Sequence, residues 1–229
     1  MALNKAHTSV WVKTLIIILI VSFIGLFMSG GIIGLIDLFN QPGQTGTAAQ
    51  TPANQLAAIN AKYQPQVDLY RQIAVSQPTS YTAAVILANT YSDWGGELGT
   101  MLAAESQPST TAVASYNQTW VSAKAVYDAA TKLKASDPPV QTDRSIATFY
   151  SGDATGAIVI VRKVISETPT FALGWFNIGL FYDQTGQNEQ AVLAYRKYLV
   201  LDPKGTSAAY AQKRVDALSA KTTTSTTTP

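Results

Sequence analysis

Residues 172–205 read Ala172-Leu-Gly-Trp175-Phe-Asn-Ile178-Gly179-Leu-Phe-Tyr182-Asp-Gln-Thr-Gly186-Gln-Asn-Glu-Gln-Ala191-Val-Leu-Ala-Tyr195-Arg-Lys-Tyr198-Leu-Val-Leu-Asp-Pro203-Lys-Gly205. Apolar residues recur here every three or four positions in two blocks, with Gly186 between them and Pro203 closing the second. That pattern predicts two helices joined by a tight turn, the proline standing where the second helix cannot continue. Gly179 and Ala191 are small, and Trp175, Tyr182 and Tyr195 are bulky. Gly152 and Gly186, Ala157 and Ala191, and Pro169 and Pro203 are all 34 residues apart. Three matches at one spacing make an internal repeat, and stacked helical pairs predict an all-α solenoid.

Outward from this stretch the repeat weakens. The preceding copy, residues 138–171, keeps Gly152, Ala157, Val161, Val164 and Pro169 but has Arg144 and Ser145 where an apolar-Gly pair belongs. Its run Ala157-Ile-Val-Ile-Val161 has the β-branched composition of a buried strand, and only the 34-residue register assigns it to a helix. A third copy opens with Leu87-Ala88-x-x-Tyr91 and places Gly95 at the turn; residues 96–114 then read as an insertion before a helix over 115–135. Leu56, Ile59, Tyr63, Val67, Tyr70 and Ile73 predict a helix over 53–77. The blocks are expected to end at Pro78, Pro138, Pro169 and Pro203. After the last of these, Ala208, Ala211, Val215 and Leu218 share one face that excludes Lys213, Arg214 and Asp216, which predicts a capping helix over 206–219. The helical domain is thus expected over 53–220, followed by a disordered Thr-rich tail, 221–229.

Trp175, Ile178, Gly179, Tyr182, Ala191, Tyr195 and Pro203 follow the spacing W-x2-L-G-x2-Y, A-x3-F and P, so the best copy, 172–205, resembles the tetratricopeptide repeat family. It departs from the family at Tyr198, usually Ala, and at Asn188, often aromatic, which implies a looser or rearranged interface with whatever follows. The resemblance implies a protein-binding scaffold whose concave surface is made by the first helix of each pair. It places Leu173, Phe176, Asn177, Leu180, Asp183 and Gln184 on that surface, with Ile146, Phe149 and Tyr150 as neighbours. Relatives that grip a terminal carboxylate line this groove with Lys and Arg. Here those positions are apolar or acidic, so a helix or an extended apolar peptide suits it better. The alternative is that these side chains are covered by the chain's own helix 53–77 or belong to its core.

Residues 14–36 contain no charged residue and include Leu15-Ile-Ile-Ile-Leu-Ile-Val21. As a helix the run reaches about 34 Å, enough for a hydrocarbon layer of about 30 Å, and it predicts a single transmembrane helix. It is too long for a cleaved signal, and a chain without cysteine has neither a lipobox nor an acylation site. Lys5 and Lys13 precede the run, whereas Asp37 and then no basic residue before Lys62 follow it. The tail 1–13 is therefore expected in the cytoplasm and the helical domain on the extracytoplasmic side. Residues 37–52, with Gln41-Pro-Gly-Gln-Thr-Gly-Thr47, read as a flexible tether. Gly25, Ser29, Gly30 and Gly34 form small-residue pairs four apart, a face suited to packing against another membrane helix.

Charged residues are 13% of the chain, with 16 Lys and Arg against 14 Asp and Glu and no basic run, so nucleic acid is not an expected partner. The single histidine, His7, stands alone before the apolar run. There is no Gly-rich phosphate loop, metal-ligand spacing or Ser-His pairing, and neither an enzyme, a cofactor, a metal nor a small-molecule substrate is expected. Trp94 and Trp120, with Tyr91 and Tyr116, are candidates for an exposed aromatic patch or for core, and Asn117-Gln-Thr119 is a glycosylation acceptor pattern. The reading as a whole is a bacterial membrane-anchored scaffold, adaptor or assembly factor of the cell envelope that binds protein or peptide partners. The alternative is a structural accessory subunit that docks into a larger membrane complex through its transmembrane helix.

Overall fold

Short polar residues set the starts of most helices. Thr51, Ser80, Ser109, Asp137 and Asp153 each accept a backbone N–H three residues on, from Asn54, Ala83, Ala112, Val140 and Gly156, and so satisfy donors a helix start leaves unpaired. In the computed structural model, which describes residues 51–225, the helices that follow are α1 (Pro52–Ser76), α2 (Tyr81–Ala104), α3 (Thr110–Leu133), α4 (Pro138–Tyr150), α5 (Ala154–Glu167), α6 (Ala172–Gln184), α7 (Asn188–Leu201) and α8 (Ala208–Ser225). There is no strand among the described residues. The apolar run 14–36, its small-residue face and most of the tether lie outside them. Among the described residues no helix is long and apolar enough to cross a membrane.

Successive helices pack as neighbours, and α4 also touches both α2 and α6. This is a solenoid of hairpins α2–α3, α4–α5 and α6–α7, with α1 against α2 and α8 closing the far end against α7. α2, α4 and α6 line one side, and α3, α5 and α7 the other. The 34-residue register holds in the backbone. Gly152 and Gly186 both take positive φ, 99° and 76°, where only glycine is unstrained. Identical bonds close both turns: Gly152 N–H to Phe149 O and Asp153 N–H to Thr148 O in one, Gly186 N–H to Asp183 O and Gln187 N–H to Tyr182 O in the other. Ala157 and Ala191 are both fully buried, as are Val161 and Tyr195. The β-branched run 157–161 is helical, so tertiary register overrides its strand propensity.

Three expectations are corrected. The residues inserted over 96–114 do not precede the next helix but mostly extend two helices: α2 continues to Ala104 and α3 starts at Thr110, each 24 residues long against 13 and 14 for α6 and α7. The addition is about three turns per helix. It makes a longer hairpin whose far end is packed by Leu98, Met101 and Ala112 against Ile59 and Tyr63 of α1. Gly95 accordingly lies inside α2, not at a turn. Pro138 does not end a helix but begins α4, where its missing N–H and fixed φ are tolerated. Pro65 sits within α1, and beside it the Gln66 side chain donates to Lys62 O at 2.8 Å.

Arg144 and Ser145 also gain an explanation. Ser145 is fully buried and small, as the crossing requires, with its hydroxyl donating to Thr142 O at 2.6 Å. Arg144 replaces an apolar contact with an ion pair to Asp128 of α3 at 2.6 Å. At the departure from the family pattern, Tyr198 is fully buried, its ring 5.3 Å from that of Phe176.

A Cβ on Gly95 would come within 2.6 Å of the Trp120 indole, whereas one on neighbouring Gly96 meets nothing within 4 Å. Gly95→Ala should therefore destabilise the domain by about 1–3 kcal/mol. Gly96→Ala should stabilise it by about 0.5–1 kcal/mol. Thermal melts of the two variants check the opposite signs.

Candidate functional site

The inner side of the hairpin stack is set by one stripe on each first helix. On α6 it is Asn177, Leu180, Asp183 and Gln184; one repeat earlier, on α4, it is Asp143, Ile146, Phe149 and Tyr150. Aligning buried Ala88 with Gly179 gives Ile86, Asn89, Ser92 and Asp93 on α2. Between α2 and α4 the stripe opens into a cleft of about 330 Å³, lined by Asn89, Ser92, Asp93, Trp120, Tyr127, Asp143 and Ile146. No α1 residue lines it, so the chain's own first helix does not fill this part of the groove.

The floor of the cleft is a fixed polar network. Buried Tyr127 donates to Asn89 Oδ1 at 2.7 Å, and Ser92 Oγ lies 3.4 Å from the same hydroxyl. Over this floor stand two carboxylates, Asp93 and Asp143, neither in an ion pair among the described residues. Burial, followed by the charges of Asp93 and Asp137, pushes the Asp143 carboxyl up to about 6. Asp93 is also raised, by lost hydration, with Lys62 acting in the opposite direction. A carboxylate raised by burial and by neighbouring carboxylates is a place where a cation from outside is stabilised.

The candidate residues separate into groups. Phe149 stacks on Phe181 at 4.5 Å, Tyr150 stacks on Trp120 at 5.0 Å, and Gln184 reaches the Tyr150 hydroxyl at 3.4 Å. Ile146 continues this group into the acidic cleft. Along α6, Leu173 is 48% exposed and Leu180 half-buried, while Asn177 between them is buried. Two residues are engaged within the fold. Phe176 lies among Tyr195, Tyr198 and Tyr210, the last from α8. Asp183 accepts two bonds from Arg214 of α8, at 2.6 and 2.7 Å, so the acid expected in the groove instead fastens the cap.

Asn89, Ser92, Asp93, Tyr127 and Asp143 were not among the residues expected from sequence. The signal for Asp143 is the register itself, since it stands 34 residues before Asn177. The α2 residues were hidden because Gly95 reads as a turn. Of the aromatic set, Trp120 and Tyr91 are buried, Trp94 donates to Asn60 Oδ1 at 3.2 Å and Tyr116 packs edge-on against Trp120, so these residues build core and not an exposed patch. Asn117 lies within α3 and Thr119 is buried with its hydroxyl on Ser115 O, which is not the surface loop an acceptor site calls for. No group of His, Cys, Asp and Glu among the described residues is arranged to hold a metal ion.

Residues 172–204 match the tetratricopeptide repeat family. No curated protein matches the chain. Solved structures with a similar fold include MamA 41-end from Desulfovibrio magneticus RS-1, 14% identical, covering 79% of this chain and 94% of that one with a TM-score of 0.49. The Arabidopsis OM64 TPR domain is 21% identical over 46% of this chain and 87% of its own, TM-score 0.41. YrrB, described as a TPR protein with an unusual peptide-binding site, is 18% identical over 70% of this chain and 88% of its own, TM-score 0.38.

The raised Asp143 carboxyl has a defined effect on stability. Between the ordinary carboxylate value near 4 and about 6, the folded state keeps a proton that the unfolded chain has released. Stability therefore falls as pH rises through that window and levels off above about 6. Asp143→Asn, which installs the residue the next repeat carries, should flatten this slope and raise stability at pH 7 by about 1–2 kcal/mol. Denaturant melts of both chains from about pH 4 to about pH 8, roughly the span of the titration, check it.

Proposed function

We propose that this chain is a membrane-anchored binding scaffold of the cell envelope that holds a segment of a partner protein along the inner face of α2, α4 and α6. The observation that carries this reading is the pair Asp93 and Asp143, unpaired over a fixed polar floor and followed along the groove by Ile146, Leu173 and Leu180. The complementary partner is a helix or extended peptide bearing a Lys or Arg opposite the carboxylates and apolar residues beyond it. A repeat-built groove fits adaptor or assembly work, and the match of residues 172–204 to the tetratricopeptide repeat supports it.

The anchored part of the reading rests on sequence. Residues 14–36 span the bilayer with the amino terminus in the cytoplasm, and residues 37–52 tether the helical domain on the opposite side. Gly25, Ser29, Gly30 and Gly34 let that span pack against a membrane helix of the same complex, the feature behind the alternative role as an accessory subunit.

A photo-crosslinking residue at Leu180 in native membranes tests the groove. One partner complex should be captured, and capture should fall about tenfold, or about 1.4 kcal/mol, in the double variant Asp93→Asn, Asp143→Asn. The surface change Lys132→Gln should leave it intact. Capture that survives the double variant but is lost on Gly30→Leu with Gly34→Leu would transfer the working contact to the membrane span, and absence of any enriched complex would end the scaffold reading.

A further inference from the structure

The outer side of the solenoid carries its own repeated pattern. On α5 the exposed positions include Thr155, Val159, Arg162, Lys163 and Ser166; 34 residues on, α7 exposes Glu189, Leu193, Arg196, Lys197 and Val200. Val159, Leu193 and Val200 are 62%, 66% and 75% exposed, more than packing within the domain requires. The Arg-Lys pair recurs at the same register, which places four cations on successive outer helices. Lys163 faces Glu167 at 3.8 Å with both side chains largely exposed, a weak contact. Arg162, Arg196 and Lys197 make no side-chain hydrogen bond or ion pair among the described residues. Against the four cations stand Glu167 and Glu189, which leaves a net charge of +2 on this face.

Cations on long apolar stems interleaved with exposed aliphatic side chains suit one environment in particular. In the headgroup layer of a bilayer the charges meet phosphates while the aliphatic groups and the Lys and Arg stems enter the layer beneath. We propose that the outer face of α5 and α7 docks on an anionic lipid surface, through Arg162, Lys163, Arg196 and Lys197 and with Val159, Leu193 and Val200 entering the headgroups. A free domain with this modest charge would bind weakly. The inference therefore rests on the anchored reading above, because a tether turns docking into an intramolecular event at high effective concentration. Docked in this way, the acidic cleft on the opposite, inner side faces away from the lipid, open to its partner.

The absence of cysteine allows a single reporter to be placed on the full-length chain. Thr155→Cys, carrying a fluorophore and reconstituted into vesicles containing headgroup-labelled quencher lipid, should be quenched strongly when phosphatidylglycerol is present and weakly in phosphatidylcholine alone. Quenching should be lost at about 0.5 M salt, where screening shortens to roughly 4 Å. It should also be lost in R162Q/K163Q/R196Q/K197Q, reduced in Leu193→Ser, and retained in K132Q/K213Q, with unchanged helical circular dichroism in each. Equal quenching in both lipids, or equal loss in K132Q/K213Q, overturns the docking face. Release of the chain from vesicles by alkaline carbonate overturns the anchor itself and with it the tethering on which this docking depends.

Discussion

Everything in the described domain depends on two helices approaching closely at a small residue. At Gly179 a Cβ would lie 2.9 Å from the Tyr195 ring, and at Gly95 one would lie 2.6 Å from the Trp120 indole. Such distances leave room for a hydrogen and nothing larger, so each aromatic ring seats directly on the opposing backbone and fixes the crossing of its hairpin. The inner helix is then held at one rotation about its axis. That rotation decides which stripe of side chains faces the groove and which faces the next repeat. In the middle hairpin Ser145 does this work while keeping its hydroxyl satisfied on Thr142 O, so a copy that looks degenerate by residue type is intact by volume and hydrogen bonding.

The legibility of this fold follows from how local each determinant is. Gly152 and Gly186 need positive φ, Ala157 and Ala191 need small volume, and these requirements act at single positions, so a 34-residue spacing reveals them. Helix length is not determined in that way. The stretch from Gly95 through Ala114 contains glycine, serine, threonine and a proline but retains Leu98, Met101 and Ala112 on one face, and packing against Ile59 and Tyr63 keeps both helices going. Composition suggested an insertion, and tertiary burial converted most of it into helix. Proline carries a similar ambiguity: past the end of a helix and at its first turn it is equally acceptable, and only the position of Asp137 as cap shows that Pro138 starts α4.

The candidate groove was legible in part for the same reason. The register carries positions between repeats without error, which is why Ile146, Phe149 and Tyr150 stand beside Gln184 and Phe181 as their spacing implies. It carries no information about the elements that terminate the array. Arg214 and Tyr210 come from α8, outside the repeat, and they withdraw Asp183 and Phe176 from the open surface. The cap is thus held by a bidentate ion pair and an aromatic cluster in place of the usual small-residue contact at Tyr198. Its cost is one acidic and one aromatic position of the groove.

What remains available has a distinct polarity. Some neighbouring carboxylates are neutralised within the fold, as Asp128 is by Lys124 and Arg144 and Asp137 by Lys134. Asp93 and Asp143 line the same cleft without an ion pair among the described residues, and the partly buried Asp143 feels the Asp93 charge. Folding alone is better served by an amide at residue 143, the residue type the next repeat carries as Asn177. In the proposed reading a cation brought by the partner would offset that cost, because an opposite charge beside a raised carboxylate favours its ionised form.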